Sequence, residues 1–226
     1  GILMKIAALY DIHGNLPALD AVLQEVRRAA VDRVIVGGDV VPGPMPRECL
    51  ARLRDLDLPT EFIRGNGDRL VVAAHDGGDI SEVPEAFRDR IRWNAQQLDP
   101  ESIEWMRSWP LTTRMIGPGI GDIVFCHATP RNDTDIFTRR TPAERLARII
   151  DAVNAAVIVC GHTHMQFDRV VGPSRILNAG SVGMSFQGVG AYWLEIGDEL
   201  HLQPTEYDPA TPAATIRTTG FPGADQ

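Results

Sequence analysis

The sequence predicts an α/β fold, on three observations. Short apolar runs at residues 4–10, 33–36 and 60–64 each lead straight into a polar, glycine-bearing loop. Stretches with apolar residues at helical spacing follow those loops. Beyond residue 110 the pattern changes to short strand-like runs divided by tight turns, as antiparallel pairing requires.

Residues 4–10 show little alternation, as expected of a strand covered on both faces. Pro17 suits a first helical turn, and Leu19, Val22, Leu23 and Val26 recur at helical spacing after it. Residues 33–36 repeat this grammar: a strand, the loop Gly37-Gly38-Asp39, a proline-rich turn, then a helix over 47–54. The third strand, 60–64, ends at Gly65-Asn66-Gly67-Asp68. Residues 70–109 read as mostly helical, with 76–79 and the prolines as breaks. Trp93, Trp105 and Trp109 fall at helical spacings and read as core or interface rather than as a base-stacking platform. A β-hairpin is expected of 111–116 and 122–126 around the glycine-rich turn 117–121. Residues 142–153 read as a capped helix, 157–160 as a buried strand, and 167–171, 175–178, 191–196 and 199–206 as antiparallel strands. One domain over 4–207 is expected, followed by a Pro-, Thr- and Ala-rich tail, 208–226, either mobile or laid across the surface. Met4 reads as the natural start, and residues 1–3 as a cloning remnant.

With 226 residues, 44% hydrophobic and 23% charged, the chain is long enough for a large core and ordinary for a folded protein. Its 22 basic and 30 acidic residues give a net charge of −8, which disfavours a broad grip on nucleic acid. Three cysteines, Cys49, Cys126 and Cys160, read as reduced core thiols. No leader or long apolar stretch is visible, so no membrane partner and a cytoplasmic location are expected. Homo-oligomerisation is left open.

Four of the six histidines, His13, His127, His162 and His164, fall at or just past predicted strand ends, where open α/β sheets place their ligands. In extended backbone, residues i and i+2 share a face, so Asp11 with His13, and His162 with His164, each offer a two-pronged arm. Asp39 and Asn66 come from two further strand ends. These seven N and O donors are more than one divalent ion uses, and two ions sharing a carboxylate would use them well. Ordinary turn chemistry explains the glycines but not the histidines.

The ordered set Asp11-x-His13-Gly14-Asn15, Gly38-Asp39, Gly65-Asn66-Gly67-Asp68, His127 and Gly161-His162-Thr163-His164 resembles the calcineurin-like metallophosphoesterases. The likeness is closest to the small bacterial and archaeal members, which include the YfcE-like phosphodiesterases. It implies a four-layer α/β/β/α sandwich of mixed parallel and antiparallel sheets. It also implies one metal on Asp11, His13, Asp39 and His164, and a second on Asp39, Asn66, His127 and His162. Mn²⁺ is the expected ion, with Fe, Zn²⁺ and Ni²⁺ compatible with the same donors. A small phosphodiester or nucleotide-like organophosphate would bridge the ions and be attacked in line by a metal-bound hydroxide. Asp39, Asn66, Asp68 and His127 are the expected catalytic residues.

Many members of the family carry a histidine after the Gly-Asn pair as general acid, and YfcE-like relatives a cysteine; this chain has Gly67. Good leaving groups should therefore be favoured, with His75 a distant substitute and Asp68 an alternative orienter of a ligand or water. Asn15 is expected to bind a phosphoryl oxygen or to cap the helix after it, and Arg131 to clamp a substrate phosphate or to lie on the surface. Asn178-Ala-Gly-Ser181 resembles a family turn packed behind the histidines. Arg139, Arg140, Arg145 and Arg148 read as a small basic patch or as solvated charges. The rival functions are a partner-binding scaffold, as in the retromer subunit of the same family, and a phosphomonoesterase or protein phosphatase.

Overall fold

The computed structural model describes residues 4–117 and 119–224. The expectations for residues 1–3, for Pro118 and for 225–226 lie outside the described residues. One five-stranded sheet has the order β10-β9-β1-β2-β3. Its strands are β1 (Ile6–Leu9), β2 (Arg33–Val36), β3 (Thr60–Phe62), β9 (Ala191–Ile196) and β10 (Leu200–Thr205). The other has the order β4-β5-β6-β8-β7. It comprises β4 (Thr112–Gly117), β5 (Gly121–Cys126), β6 (Val157–Cys160), β7 (Phe167–Val171) and β8 (Ser174–Asn178).

The alternation of β1 sets the layers. Ala7 and Leu9 face a core shared with α1 (Leu16–Arg28), α2 (Pro46–Arg54), α3 (Asn66–His75), α4 (Glu85–Gln97) and α5 (Pro100–Arg107). Ile6, Ala8 and Tyr10 face the other way, into a core between the sheets with Phe125, Val159 and Leu177. On the far side of the second sheet, Val124, Ile158 and Ile176 meet Leu146, Ile149 and Ile150 of α6 (Ala143–Ile150). The result is the expected α/β/β/α sandwich, and β1, buried on both faces, needs its unbroken apolar run.

Four local readings change. The halves of the chain are not segregated into parallel and antiparallel sheets. β5, β6 and β8 pair in parallel, while β9 and β10 cross back to the first sheet and run antiparallel beside β1. Alternation within a strand reveals its faces but not its partner. The segment after β3 is already helical from Asn66, because Asp68 reaches back to the Gly65 N–H (2.9 Å) and Leu70 and Val71 bury the next turn. Helix α6 is shorter than expected, and Pro142 at its start gives no side-chain cap. The tail forms a further helix, α7 (Ala210–Arg217), against α1. The tail then returns to α4, where Phe221 meets the Trp93 ring edge-on at 5.4 Å and Pro222 O accepts from Arg90 Nε. Trp105 and Trp109 pack with Phe62, and the three cysteines are buried and free.

Candidate metal centre

The loops after β1, β2, β3, β5 and β6 meet at one end of the two sheets. The first two extend the strand pairing as they leave: Asp11 N donates to Gly38 O (3.0 Å), His13 N to Asp39 O (2.9 Å) and Gly14 N to Val40 O (2.8 Å). Asp11 and His13 converge, though not through extended backbone. Asp11, His13, Asp39, His162 and His164 all hold left-handed φ, between 46° and 69°. Non-glycine residues avoid that region and gather there mostly where function demands it.

Six of the seven expected donors group closely, and Asn66 lines the cavity over them. Asp11, His13 and His164 form one group, and Asp39, His127 and His162 a second, with donor atoms in each within 4.8 Å of one another. Asp39 Oδ2 stands between them, 3.6 Å from His13 Nε2 and 3.5 Å from His127 Nε2. His164 Nε2 lies 3.2 Å from both Asp11 Oδ1 and His13 Nε2. Asp11 Oδ1, Asn66 Oδ1, His127 Nε2 and His164 Nδ1 are buried without a hydrogen-bond partner among the described residues. Buried polar atoms are normally satisfied, so this set fits divalent cations.

The outer ring nitrogens orient two histidines. Nδ1 of His13 lies 3.0 Å from Pro42 O, and Nδ1 of His127 2.9 Å from Gly37 O. A carbonyl only accepts, so each Nδ1 carries the proton and a neutral ring keeps its Nε2 lone pair for the centre. Asp11 Oδ2 accepts the His162 N–H (2.8 Å), and the Asp11 carbonyl accepts from Ser181 Oγ (2.7 Å). Asn178 Nδ2 donates to Gly161 O and Thr163 Oγ1, so the Asn178–Ser181 turn does support the histidine loop.

The field of the cluster attracts positive charge. Burial raises the Asp11 carboxyl, yet His127 and His164 outweigh it and hold the pKa well below the usual range. Burial likewise lowers the His127 imidazolium, but Asp39 and Asp11 overcome it and carry its pKa up to about 10. Protons and metal ions compete for such a place.

Asp68 stands behind the ligands, not among reacting groups. Fully buried, it accepts from Asp39 N (2.8 Å) and Gly65 N (2.9 Å) on one oxygen, and from Val40 N (3.0 Å) and Val41 N on the other. It is a positioning residue for the Asp39 and Asn66 loops. Burial and the nearby Asp39 charge lift its pKa to about 7. Gly67 is equally fixed: its N–H donates to Asp39 Oδ1 (2.7 Å), and a Cβ there would stand 2.4 Å from Val41 O. Loop backbone fills the space a side chain would need.

For Asn15 and Arg131 the structure shows the capping and surface alternatives, and it places His75 away from the centre. Asn15 Oδ1 caps α1 through Ala18 N, and its Nδ2 donates to Gly183 O and Tyr207 OH, so this side chain is spent on the fold. Arg131 is an exposed side chain paired with Asp135 four residues on. His75 ends α3, about 14 Å along the helix from Asn66 at 1.5 Å per residue, and pairs with Asp76.

A cavity of about 410 Å³ opens over His13, Asp39, Asn66 and His162, with Glu82 and Thr134 on its rim. Arg69 clamps that rim, holding Glu82 through two bonds (2.8 and 3.1 Å) and Asp133 through two more (2.7 and 3.1 Å). The sequence reading missed Arg69 and Glu82; thirteen residues apart and in no motif, they gave no local signal.

Residues 4–198 match the family model described as the calcineurin-like phosphoesterase superfamily domain. Among solved structures, the hypothetical protein PH1004 of Pyrococcus horikoshii OT3 is similar with a TM-score of 0.84 and 20% identity, over 98% of this chain and 95% of that one. A metallophosphoesterase from Sphaerobacter thermophilus has a TM-score of 0.75 and 28% identity, over 97% and 95%. The phosphoesterase Yfce of E. coli has a TM-score of 0.52 and 19% identity, over 85% and 87%, a likeness of fold. No helix among the described residues is long and apolar enough to cross a membrane. The strand-end carboxylates and histidines, the two-sheet sandwich around them and the match over residues 4–198 agree that the chain belongs to the calcineurin-like phosphoesterase superfamily.

Proposed function

We propose that the protein hydrolyses a small phosphodiester or nucleotide-like organophosphate at a binuclear centre. The observation that carries this is Asp39 Oδ2 standing between the two donor groups. Asp11, His13, Asp39 and His164 would hold one ion, and Asp39, Asn66, His127 and His162 the other. Two divalent ions supply charge neutralisation at the phosphoryl oxygens and a nucleophile drawn from water at neutral pH. The imidazole and carboxylate donors suit Mn²⁺, with Fe, Zn²⁺ and Ni²⁺ as alternatives.

The residues of the chain itself hold and orient. Pro42 and Gly37 carbonyls fix the tautomers of His13 and His127, and Asp68 fixes the Asp39 turn. No side chain at position 67 protonates the departing oxygen, so substrates whose leaving group departs as a stable anion are favoured: aryl esters and phosphoanhydrides.

The test is hydrolysis of bis(p-nitrophenyl) phosphate beside p-nitrophenyl phosphate, with Mn²⁺, by the natural chain and by Asp39→Asn. Diester turnover that collapses in the variant is the expected result. Preference for the monoester would replace the reading with a phosphatase, and no turnover in protein shown to hold two ions would replace it with a binding scaffold.

A further inference from the structure

His162 is shared by two cavities. One is the cavity over the centre; the other, about 610 Å³, is lined by residues of the segments after β5 and after β6. Both have apolar walls, Leu70, Val83 and Ile91 in the first, but the second adds two arginines. The second cavity is lined by Ile136, Met165, Phe167 and Phe186, with Arg139 and Arg140 at its edge. Ile136 and Phe186 are 67% and 65% exposed, a large apolar exposure for loop residues beside a polar centre. Phe186 lies against His164, ring centroids 4.7 Å apart, so the apolar wall is continuous with the donor cluster.

The two arginines have no ion-pair partner among the described residues, in a chain of net charge −8. Their backbone is held in place: Arg169 Nη1 donates to the carbonyls of Thr138 (3.2 Å), Arg139 (3.1 Å) and Thr141 (2.7 Å). On the other side of the centre, Arg69 is engaged by Glu82 and Asp133. Arg139 and Arg140 thus present unpaired positive charge at the edge of the second cavity.

We propose that the cavity beside His162 is a specificity pocket for a ring-bearing ester arm that carries a further anionic group. An aromatic ring would lie on Ile136, Met165 and Phe186, and its phosphate would meet Arg139 and Arg140. The substrates favoured are then nucleotide-class diesters with a second phosphate on the retained arm, while the leaving group occupies the cavity over the centre. This rests on the phosphodiesterase reading above.

Three diesters sharing one leaving group test it: methyl p-nitrophenyl phosphate, thymidine 5′-(p-nitrophenyl phosphate), and the latter bearing a 3′-phosphate. In each, a water oxygen bonds to phosphorus, the P–O bond to the aryl group breaks with its electron pair on p-nitrophenolate, and the proton goes to solvent. Adding the thymidine should raise kcat/KM about tenfold or more, the usual yield of filling an apolar pocket. Adding the 3′-phosphate should give about a further tenfold, as charge-assisted bonds do. Ile136→Asp should bring the thymidine-to-methyl ratio near unity, and Arg139→Gln with Arg140→Gln should erase the gain from the 3′-phosphate alone. A readout without turnover accompanies these: calorimetric binding of thymidine 3′,5′-bisphosphate to chelator-treated protein, weakened by either variant. Equal kcat/KM for all three diesters, or bisphosphate binding indifferent to both variants, overturns the pocket. No turnover of any diester while binding still follows the variants overturns the phosphodiesterase reading and leaves the pocket standing.

Discussion

The two walls of the centre are built by different rules. The wall from the first sheet supplies Asp11, His13, Asp39 and Asn66 on loops bonded to each other and to the buried Asp68 carboxylate. The wall from the second sheet supplies His127, His162 and His164. Beyond them it continues into segments whose large apolar residues, Ile136, Met165 and Phe186, are exposed around two unpaired arginines. The first wall spends its polar groups on itself, so what it can do is hold ions. The second leaves side chains free, so it can select what reaches those ions. Precision and selectivity thus come from separate parts of one cleft.

Removing the shared ligand would break the comparison most severely. Asp39→Asn should lower diester turnover by more than about 100-fold, beyond the 10- to 100-fold typical of groups that only orient ligands, with bound metal per chain falling in elemental analysis. Next comes Asp68→Asn. Its amide turns two donor hydrogens toward backbone N–H groups, so Mn²⁺ affinity should drop about 10- to 100-fold while the ligands themselves remain, as titration calorimetry would read. Gly67→Ala sharpens the contrast in stability. An unobstructed helical glycine gains about 0.5–1 kcal/mol from alanine, whereas here the Cβ meets Val41 O and the urea midpoint should fall by the equivalent of about 1–3 kcal/mol. A gain would mean that the Asp39–Pro42 loop yields readily. The smallest effect belongs to Arg131→Ala, an exposed partner of Asp135. Stability should hold within about 0.5 kcal/mol, and kcat/KM for the diester should not move.

How legible all this is in the sequence depends on where the physics lies. The ligands can be read because histidine and aspartate at strand ends carry their chemistry in their identity. Extended backbone would bring Asp11 and His13 together, and left-handed backbone does so by another path, so the residues meet as expected through a different geometry. For Asp68 the sequence offered the orienting role as an alternative to a catalytic one, but not its partners at Asp39, Val40 and Val41, backbone N–H groups 27 to 29 residues away. The crossing of β9 and β10 to the first sheet was hidden for a like reason: alternation marks faces, not neighbours. Asn15 and Arg131 are different. Partners for Asn15 Oδ1 and Arg131 lie three and four residues on, so the capping and surface roles could be read beside the substrate-binding ones from local sequence.

The left-handed conformation of Asp11, His13, Asp39, His162 and His164 reaches beyond the chemistry. Each such residue costs about 1–3 kcal/mol in backbone strain, and Asp11 and Asp39 add the repulsion of two buried like charges. The centre is thus where the chain works against its own stability. A screen that rewards heat tolerance alone, blind to activity, should erode this end of the sandwich first, substituting glycine and asparagine for ligands while leaving the β1 core untouched.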